Sequence, residues 1–202
     1  MFEHERRGQR SNSESDTDLY RAVAQGSGEA MATIYQRHGP LIYRFSFRIS
    51  QDQSIAEEVT QDVFLALLRQ SDRFDPARAA LSTWLCGIAR RLVWKQLERR
   101  QRHLLIDLPE ESGEAESLEG DPDVTLSRNE AVAAVQRGLD TLPVQLKEVI
   151  VLCEFEEMKY EDAALVVGVP VGTIRSRLHR AKARLALALG GAAMNTSKEN
   201  NP

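Results

Sequence analysis

The chain has 202 residues, 42% of them hydrophobic, and a formal net charge of −4, so it can bury one core or two small ones. Cys86 and Cys153 are too few for a disulfide framework, and with the four histidines they form no metal-ligand spacing, so we expect a reducing cytoplasm and no metal. The polar start lacks the apolar core of a signal peptide, and no stretch approaches the ~20 apolar residues of a membrane span. The sequence therefore favours a soluble intracellular protein.

Charge is distributed unevenly along the chain. The stretch from Asp107 to Asp123 holds eight acidic residues and no Lys or Arg, while basic residues lie on either side of it. Because nucleic-acid binding depends on the local field, an acidic protein can still bind DNA through basic patches. The acidic stretch is also rich in Pro, Gly and Ser, which is typical of a flexible linker.

Helical periodicity without any β-rich stretch predicts an all-α fold of two small helical domains. The domains are predicted at residues 18–104 and 126–189, with the flexible linker at 105–125. Residues 1–17 and 190–202 are predicted to be disordered termini.

The first predicted domain contains a helix that opens with the capping box Ser54-x-x-Glu57 and continues to about Gln70. Its apolar stripe, which includes Val59 and Val63, is expected to pack inward. An exposed leucine among acids on the opposite face indicates either a protein-contact surface or an ordinary solvated one. That face carries Glu58, Gln61, Asp62, Leu65 and Arg69.

A second helix, from Ser82 to about Gln101, follows a predicted loop at residues 74–80. Its buried stripe includes Leu85 and Ile88, and its far face places Trp94 beside Arg90 and Arg91. An indole next to arginines suits single-stranded nucleic acid, because the ring stacks on unpaired bases while the cations hold phosphates. The alternative is that Trp94 packs on a neighbouring helix, and Trp84, nearer the apolar stripe, is expected to be mainly structural.

The segment from Tyr160 to Leu185 predicts two helices around a tight turn. Gly168 supplies the positive φ that such a turn often needs, and Pro170 suits the first turn of the next helix. The inward stripe of that helix is formed by Ile174, Leu178, Ala181 and Leu185, and the outer face of the helix is basic. A basic helix is often only a solvated face, but the turn and the lack of acids from 168 to 189 favour a helix-turn-helix that reads DNA.

Two parts of the chain, covering about residues 18–189, resemble the bacterial extracytoplasmic-function (ECF) sigma factors. The resemblance to their region 2 rests on Ile55-Ala56-Glu57-Glu58-Val59-Thr60-Gln61-Asp62-Val63-Phe64, Phe74-Asp75, Thr83-Trp84-Leu85 and Ile88-Ala89-Arg90. The resemblance to their region 4 rests on Leu142-Pro143, on Tyr160-Glu161-Asp162-Ala163-Ala164 and on the run from Gly168 to Ala181.

This resemblance implies a sigma subunit that binds core RNA polymerase and directs it to promoter DNA. Helix 55–69 would dock on the clamp of the largest polymerase subunit through the face named above, and region 4 would contact the flap. The loop and helix from 73 to 99 would melt the −10 element and hold its non-template strand, using Arg73, Arg78, Thr83, Trp84, Arg90, Arg91, Trp94, Lys95 and Arg99. The helix at 171–184 would read the −35 element with Gly172, Thr173, Arg175, Ser176, Arg177, His179, Arg180, Lys182 and Arg184.

The resemblance further implies an anti-sigma partner and no catalytic chemistry or cofactor. The chain departs from the family pattern at Arg91 and Lys95, which replace a common Asn and a common Asp or Asn. It departs again at residues 157–159, Glu-Met-Lys, where relatives often have Gly-Leu-Ser. The acidic linker either mimics nucleic acid in a cationic channel or is a solvated tether.

Two other functions fit parts of the sequence. A stand-alone helix-turn-helix regulator would bind duplex DNA without polymerase, but leaves the Trp94 surface unexplained. A helical interaction protein would use its acidic segment to recruit a basic partner. An enzyme is the weakest alternative, since no nucleophile, paired acid and base, or phosphate-cradling glycine motif is present.

Overall fold

The computed structural model describes residues 14–69, 73–106 and 125–196. Every regular element in these ranges is helical, which confirms the all-α prediction. The elements are α1 (Asp16–Ala24), α2 (Gly28–Ser50), α3 (Gln53–Arg69), α4 (Leu81–Ile106), α5 (Thr125–Asp140), α6 (Val144–Ile150), a π-helical turn (Val151–Phe155), α7 (Tyr160–Val167) and α8 (Val171–Thr196). Helices α1–α4 form a first helical unit and the remaining elements a second. The acidic stretch at 107–123 lies outside the described residues.

Three helix ends differ from the sequence predictions. Helix α1 starts at Asp16, earlier than predicted, because the hydroxyl of Ser15 accepts the N–H of Asp18 at 3.2 Å and caps it. The capping box at Ser54 is wrong: α3 starts at Gln53, because a carboxylate oxygen of Asp52 accepts the N–H of Ile55 at 3.0 Å. Helix α8 continues to Thr196, beyond the predicted start of a disordered tail at residue 190, and Ala192, Ala193 and Met194 in this last part are good helix formers.

The core of the first unit is built from the apolar faces of α1–α4, and Phe45 of α2 is fully buried at its centre. Val59 and Val63 of α3 and Leu85 of α4 lie in the same core, as predicted. An aromatic cluster fixes the loop before α4, with the Tyr20 and Phe74 ring centroids 4.9 Å apart and Trp84 edge-on to Tyr20. Trp84 is half-buried and packs against the core, and the loop is held against the start of α4.

The second unit packs α8 across α5, α6 and α7. Ile174, Leu178 and Ala181 are buried, which confirms the inward stripe. Gly168 has a φ of +76° and its N–H bonds to the Ala164 carbonyl at 2.8 Å, so the predicted turn between α7 and α8 forms as expected. A Cβ at Gly138 would lie 2.6 Å from the Leu185 side chain, so glycine allows α5 and α8 to approach closely.

A π-helical turn at Val151–Phe155 connects α6 to the loop before α7. π-Helical turns are rare and often occur at functional sites. Glu157 adopts a left-handed φ of 52°, a conformation that glycine accepts more readily. This turn directs Glu156 away from its own unit and onto α2, where its carboxylate binds two arginines.

Candidate nucleic-acid interfaces

Helix α8 presents its predicted DNA-contacting residues on one accessible face. The buried stripe of Ile174 and Leu178 packs on the second unit and points the opposite face outward. The exposed members of the predicted set are Gly172, Arg175, Ser176, His179, Arg180, Lys182 and Arg184, and the half-buried ones are Thr173 and Arg177. The first turns of α8 therefore offer small residues beside long cations, which suits the major groove.

Two of these cations already have contacts within the second unit. The ammonium of Lys182 lies 2.9 Å from a carboxylate oxygen of Glu154, and this hydrogen bond raises the pKa of Lys182. The guanidinium of Arg175 lies 6.0 Å from the centre of the Tyr160 ring. Both contacts involve exposed side chains, and exposed ion pairs such as that of Lys182 contribute little to stability.

The predicted polymerase-facing side of α3 is accessible. Glu58, Gln61, Leu65 and Arg69 are exposed and Asp62 is half-buried. Leu65 and Leu68, three residues apart on α3, are both large exposed apolar side chains, and Leu68 was not predicted from the sequence. Neighbouring exposed apolar side chains rimmed by polar ones are typical of a protein-contact surface.

The loop before α4 and the first turns of α4 form a cleft of about 300 Å³. It brings together several residues of the predicted −10 set, namely Arg73, Arg78, Thr83, Trp84 and Arg91. Arg73, Arg78 and Arg91 are exposed, as are Lys95 and Arg99 further along α4. One wall of the cleft is Leu165 of α7, so the second helical unit contributes to its lining.

The central residues of the −10 set are buried or half-buried and make hydrogen bonds to the second unit. The hydroxyl of Thr83 donates to Asp162 of α7 at 2.9 Å. The Arg90 guanidinium and the Trp94 indole N–H donate to the same Glu148 carboxylate oxygen of α6, at 2.7 and 2.5 Å. Thr83, predicted on the outer face, is buried because α7 covers it. The alternative interpretation of Trp94, packing on a neighbouring helix, therefore describes this conformation.

A third carboxylate joins the two units at the π-helical turn. The side chain of Glu156 is fully buried and bonds to Arg44 at 2.7 Å and also to Arg48. The Arg48 guanidinium lies 4.9 Å from the centre of the Phe155 ring, which adds a cation–π contact. We call Glu148, Glu156 and Asp162 the bridging carboxylates.

None of the bridging carboxylates was predicted from the sequence. Glu148 carries the one signal that sequence alone offers, since it lies in the strongly apolar run LKEVIVL and is only 1% exposed. A charged side chain in such a run requires a partner when it is buried. That partner, Arg90, lies in the other helical unit.

Both cysteines are buried and free. Burial raises the pKa of the Cys86 thiol to about 12, with a further contribution from the Glu156 carboxylate. Burial and then Glu154 raise the pKa of Cys153 to about 11. Both thiols are therefore protonated at neutral pH, and protonated buried thiols react slowly.

Within residues 14–69, 73–106 and 125–196 no group of His, Cys, Asp and Glu is placed to hold a metal ion. None of the helices in those ranges has both the length and the hydropathy needed to cross a membrane.

Models of two protein families match the two helical units in order. Sigma-70 region 2 matches residues 34–103 and Sigma-70 region 4 matches residues 133–185. Among curated proteins, the ECF RNA polymerase sigma factor SigE of Mycolicibacterium smegmatis is 30% identical over 176 residues, covering 85% of this chain and 68% of SigE. The RNA polymerase sigma-H factor of Pseudomonas aeruginosa is 32% identical over 184 residues, covering 87% of this chain and 94% of that protein.

Solved structures give the same result for the fold. CnrH in complex with the cytosolic domain of CnrY matches with a TM-score of 0.66 and 25% identity, covering 88% of this chain and 99% of CnrH. The sigma factor RpoE in complex with the anti-sigma factor NepR from Bartonella quintana matches with a TM-score of 0.60 and 26% identity, covering 77% and 94%. With both regions in order and relatives at 30% identity or more along most of their length, the chain belongs to the ECF sigma factors, the alternative sigma subunits of transcription initiation.

Proposed function

We propose that this protein binds core RNA polymerase and brings it to promoters by contacting two DNA elements with two different surfaces. The observation that carries the proposal is the pairing on one chain of an exposed basic helix, α8, with an aromatic and cationic surface on α4. The first suits duplex DNA and the second suits unpaired bases. A stand-alone duplex-binding regulator needs only the first.

Helix α8 is proposed to lie in the major groove of the −35 element. Small residues near its start allow close approach to base edges, and the flanking cations reach guanines or phosphates. Arg177 and Arg180 are the proposed base-contacting residues. Lys182 and Arg184, further along the helix, are proposed to contact the phosphate backbone.

The loop before α4 and the exposed side of α4 are proposed to hold the −10 non-template strand. Trp94 stacks on an unpaired base while Arg91, Lys95 and Arg99 neutralise phosphates. Melting is driven by tighter binding of the separated strand than of the duplex, so the protein needs no catalytic group, no ATP and no cofactor. We propose that it acts in the cytoplasm as a non-enzymatic regulator.

The exposed face of α3 is proposed to dock on the clamp of the largest polymerase subunit, with Leu65 at its centre, and the second unit is proposed to contact the flap. CnrH and RpoE, two solved relatives, were each determined with a bound partner, the cytosolic domain of CnrY and the anti-sigma factor NepR. By this likeness an anti-sigma factor is proposed as a partner of the present chain.

The test is promoter-dependent transcription by core polymerase with and without the purified protein, on a library of genomic promoter fragments. We expect transcripts only when the protein is present, and expect Leu65→Arg to lose both core binding and transcripts. Ala24→Arg, at an exposed position on α1, is the matched control and is expected to retain both. Absence of transcripts together with absence of core binding would rule out the proposal, and tight duplex binding by the protein alone would then indicate a stand-alone regulator.

A further inference from the structure

Tyr20 of α1 contacts the loop before α4 through both its hydroxyl and its ring. The hydroxyl oxygen accepts the backbone N–H of Phe74 at 3.2 Å, and both residues are buried. The Tyr20 ring lies edge-on to the rings of Phe74 and Trp84, with centroid distances of 4.9 and 6.1 Å. The centroids of the Phe74 and Trp84 rings are 5.7 Å apart. One side chain of α1 therefore holds a backbone group of the loop and two aromatic rings.

The groups that Tyr20 holds belong to the cleft in front of α4. Phe74 and Trp84 line this cleft of about 300 Å³, and so does Arg73, which directly precedes Phe74 in the chain. Arg73 is exposed, whereas Tyr20 is only 6% exposed and is not part of the lining. Tyr20 thus supports the cleft from behind and does not itself reach a ligand there.

A turn directly after Phe74 connects this anchor to a second cation of the cleft. A side-chain oxygen of Asp75 accepts the N–H of Ala77 at 2.9 Å, and the Asp75 carbonyl accepts the N–H of Arg78 at 3.1 Å. Aspartate commonly stabilises turns in this way. The backbone position of Arg78 is therefore set by a short turn that begins next to the Phe74 anchor.

Helix α1 is itself fixed on α2, so Tyr20 is a rigid support. One carboxylate oxygen of Asp16 lies 2.9 Å from Nε2 of the buried His38, and the other accepts a hydrogen bond from Arg37. Leu19 and Val23 bury their side chains in the core of the first unit. Both the polar start of α1 and its apolar face thus hold this helix in place.

We infer that Tyr20 is a positioning residue for the −10 non-template strand, because it holds the loop before α4 in the conformation that binds unpaired bases. The inference rests on the proposed function for the identity of the strand. A loop that is ordered before binding loses less conformational entropy when the strand binds. A binding site also discriminates between ligands only when the groups behind it fix its contacting side chains.

The contribution of the hydroxyl can be separated from that of the ring. Tyr20→Phe keeps the ring but leaves the buried N–H of Phe74 without this acceptor. A buried donor without a partner is costly, so the loop is expected to shift until the N–H finds water or another acceptor. Loss of the hydroxyl is therefore expected to disturb the cleft while the core of the first unit stays packed.

The first measurement is hydrogen exchange of the Phe74 amide in the full-length protein, followed by NMR. We expect this amide to exchange at least about fivefold faster in Tyr20→Phe, the size of effect that one hydrogen bond gives. The amide of Leu85, within α4, is the internal reference and is expected to change less. Asp16→Asn, which weakens the attachment of α1 and keeps Tyr20, is expected to give a smaller change of the same kind.

The second measurement is binding of single-stranded −10 oligonucleotides to polymerase that carries the protein. The sequence comes from a promoter found in the transcription test, and a second oligonucleotide carries one substituted −10 base. Tyr20→Phe is expected to lower the ratio of the two affinities by about fivefold, and Tyr20→Leu by more. Binding of a −35 duplex and assembly with core polymerase are expected to stay unchanged.

The control for general destabilisation is Ile49→Val, at a buried position in the last turn of α2. Denaturation measures the stability of each variant, and circular dichroism confirms that each is folded. Ile49→Val is expected to keep both the Phe74 exchange relative to Leu85 and the affinity ratio. A purely structural role of Tyr20 would give the same outcome for Tyr20→Phe and Ile49→Val.

Two results would overturn the inference. One is unchanged exchange of the Phe74 amide in folded Tyr20→Phe, and the other is faster exchange with an unchanged affinity ratio. The exchange measurement needs neither polymerase nor DNA, so it is separable from failure of the proposed function. A protein that supports no transcription would refute the proposed function, and the exchange result would still decide whether Tyr20 holds the loop.

Discussion

Helices α4 and α8 carry the two candidate DNA surfaces, and they differ in what lies opposite them. Both present arginines, and both bury an apolar stripe in their own unit. Opposite the centre of α4 stand Glu148 and Asp162, while the outer face of α8 has two exposed contacts, Lys182 with Glu154 and Arg175 with the Tyr160 ring. Basic character alone therefore does not define an available DNA site, because nearby carboxylates of the same chain can occupy its donors.

The largest expected effect is on duplex DNA binding by the accessible face of α8. Arg180→Ala is expected to weaken binding of a −35 duplex by about 1–3 kcal/mol if the residue contacts a base, and to relax sequence preference at one position. Fluorescence anisotropy with promoter variants measures both quantities. Arg137→Ala, at an exposed arginine of α5, is the control. Unchanged affinity and unchanged preference would remove Arg180 from the site.

A smaller net effect is expected on open-complex formation by the covered surface of α4. Trp94→Ala removes a stacked base contact, which costs about 1–3 kcal/mol per base, but it also removes the hydrogen bond to Glu148. Open-complex formation is therefore expected to fall while duplex binding is retained, as measured with 2-aminopurine in the −10 element. Trp94→Phe, which keeps a ring, is expected to recover most of the loss. If Trp94→Ala instead lowers folding stability and open-complex formation in parallel, the role of Trp94 is structural.

The smallest expected effect is on the free energy of unfolding, at the turn that presents Glu156. Glu157→Gly is expected to raise the free energy of unfolding by about 0.5–1 kcal/mol. Glycine adopts the left-handed conformation without steric cost, and this gain exceeds the extra conformational entropy that glycine gives the unfolded chain. Chemical denaturation measures the change, and Glu157→Ala is expected to give no gain. A loss of stability in Glu157→Gly would mean that the Glu157 side chain stabilises the turn.

Local features of the fold could be predicted because they depend on short-range periodicity and backbone preference. The inward stripes of α3, α4 and α8 and the turn at Gly168 followed from the spacing of apolar residues and one glycine. The start of α3 was misassigned because Asp52 and Ser54 are both good caps, and only the three-dimensional structure shows which oxygen meets the free N–H groups.

The candidate DNA surfaces could be predicted as sets of residues, but not as accessible or covered. Thr83, Arg90 and Trp94 lie together on α4 as their spacing indicates. Their partners lie 79, 58 and 54 residues further along the chain. Helical periodicity cannot predict contacts between positions so far apart, because these contacts depend on how the surfaces of the two folded units fit together. The buried acid in the apolar run at Glu148 was the one local indication that such a contact existed.

The shared oxygen of Glu148 has a consequence for mutational scanning of this protein. A buried, paired carboxylate is normally a position where substitution lowers abundance and activity together. Here the same substitution frees Trp94 and Arg90 for DNA, so abundance and single-strand binding are expected to move in opposite directions. In a scan that scores the two traits separately, Glu148 would stand apart from the core residues around it.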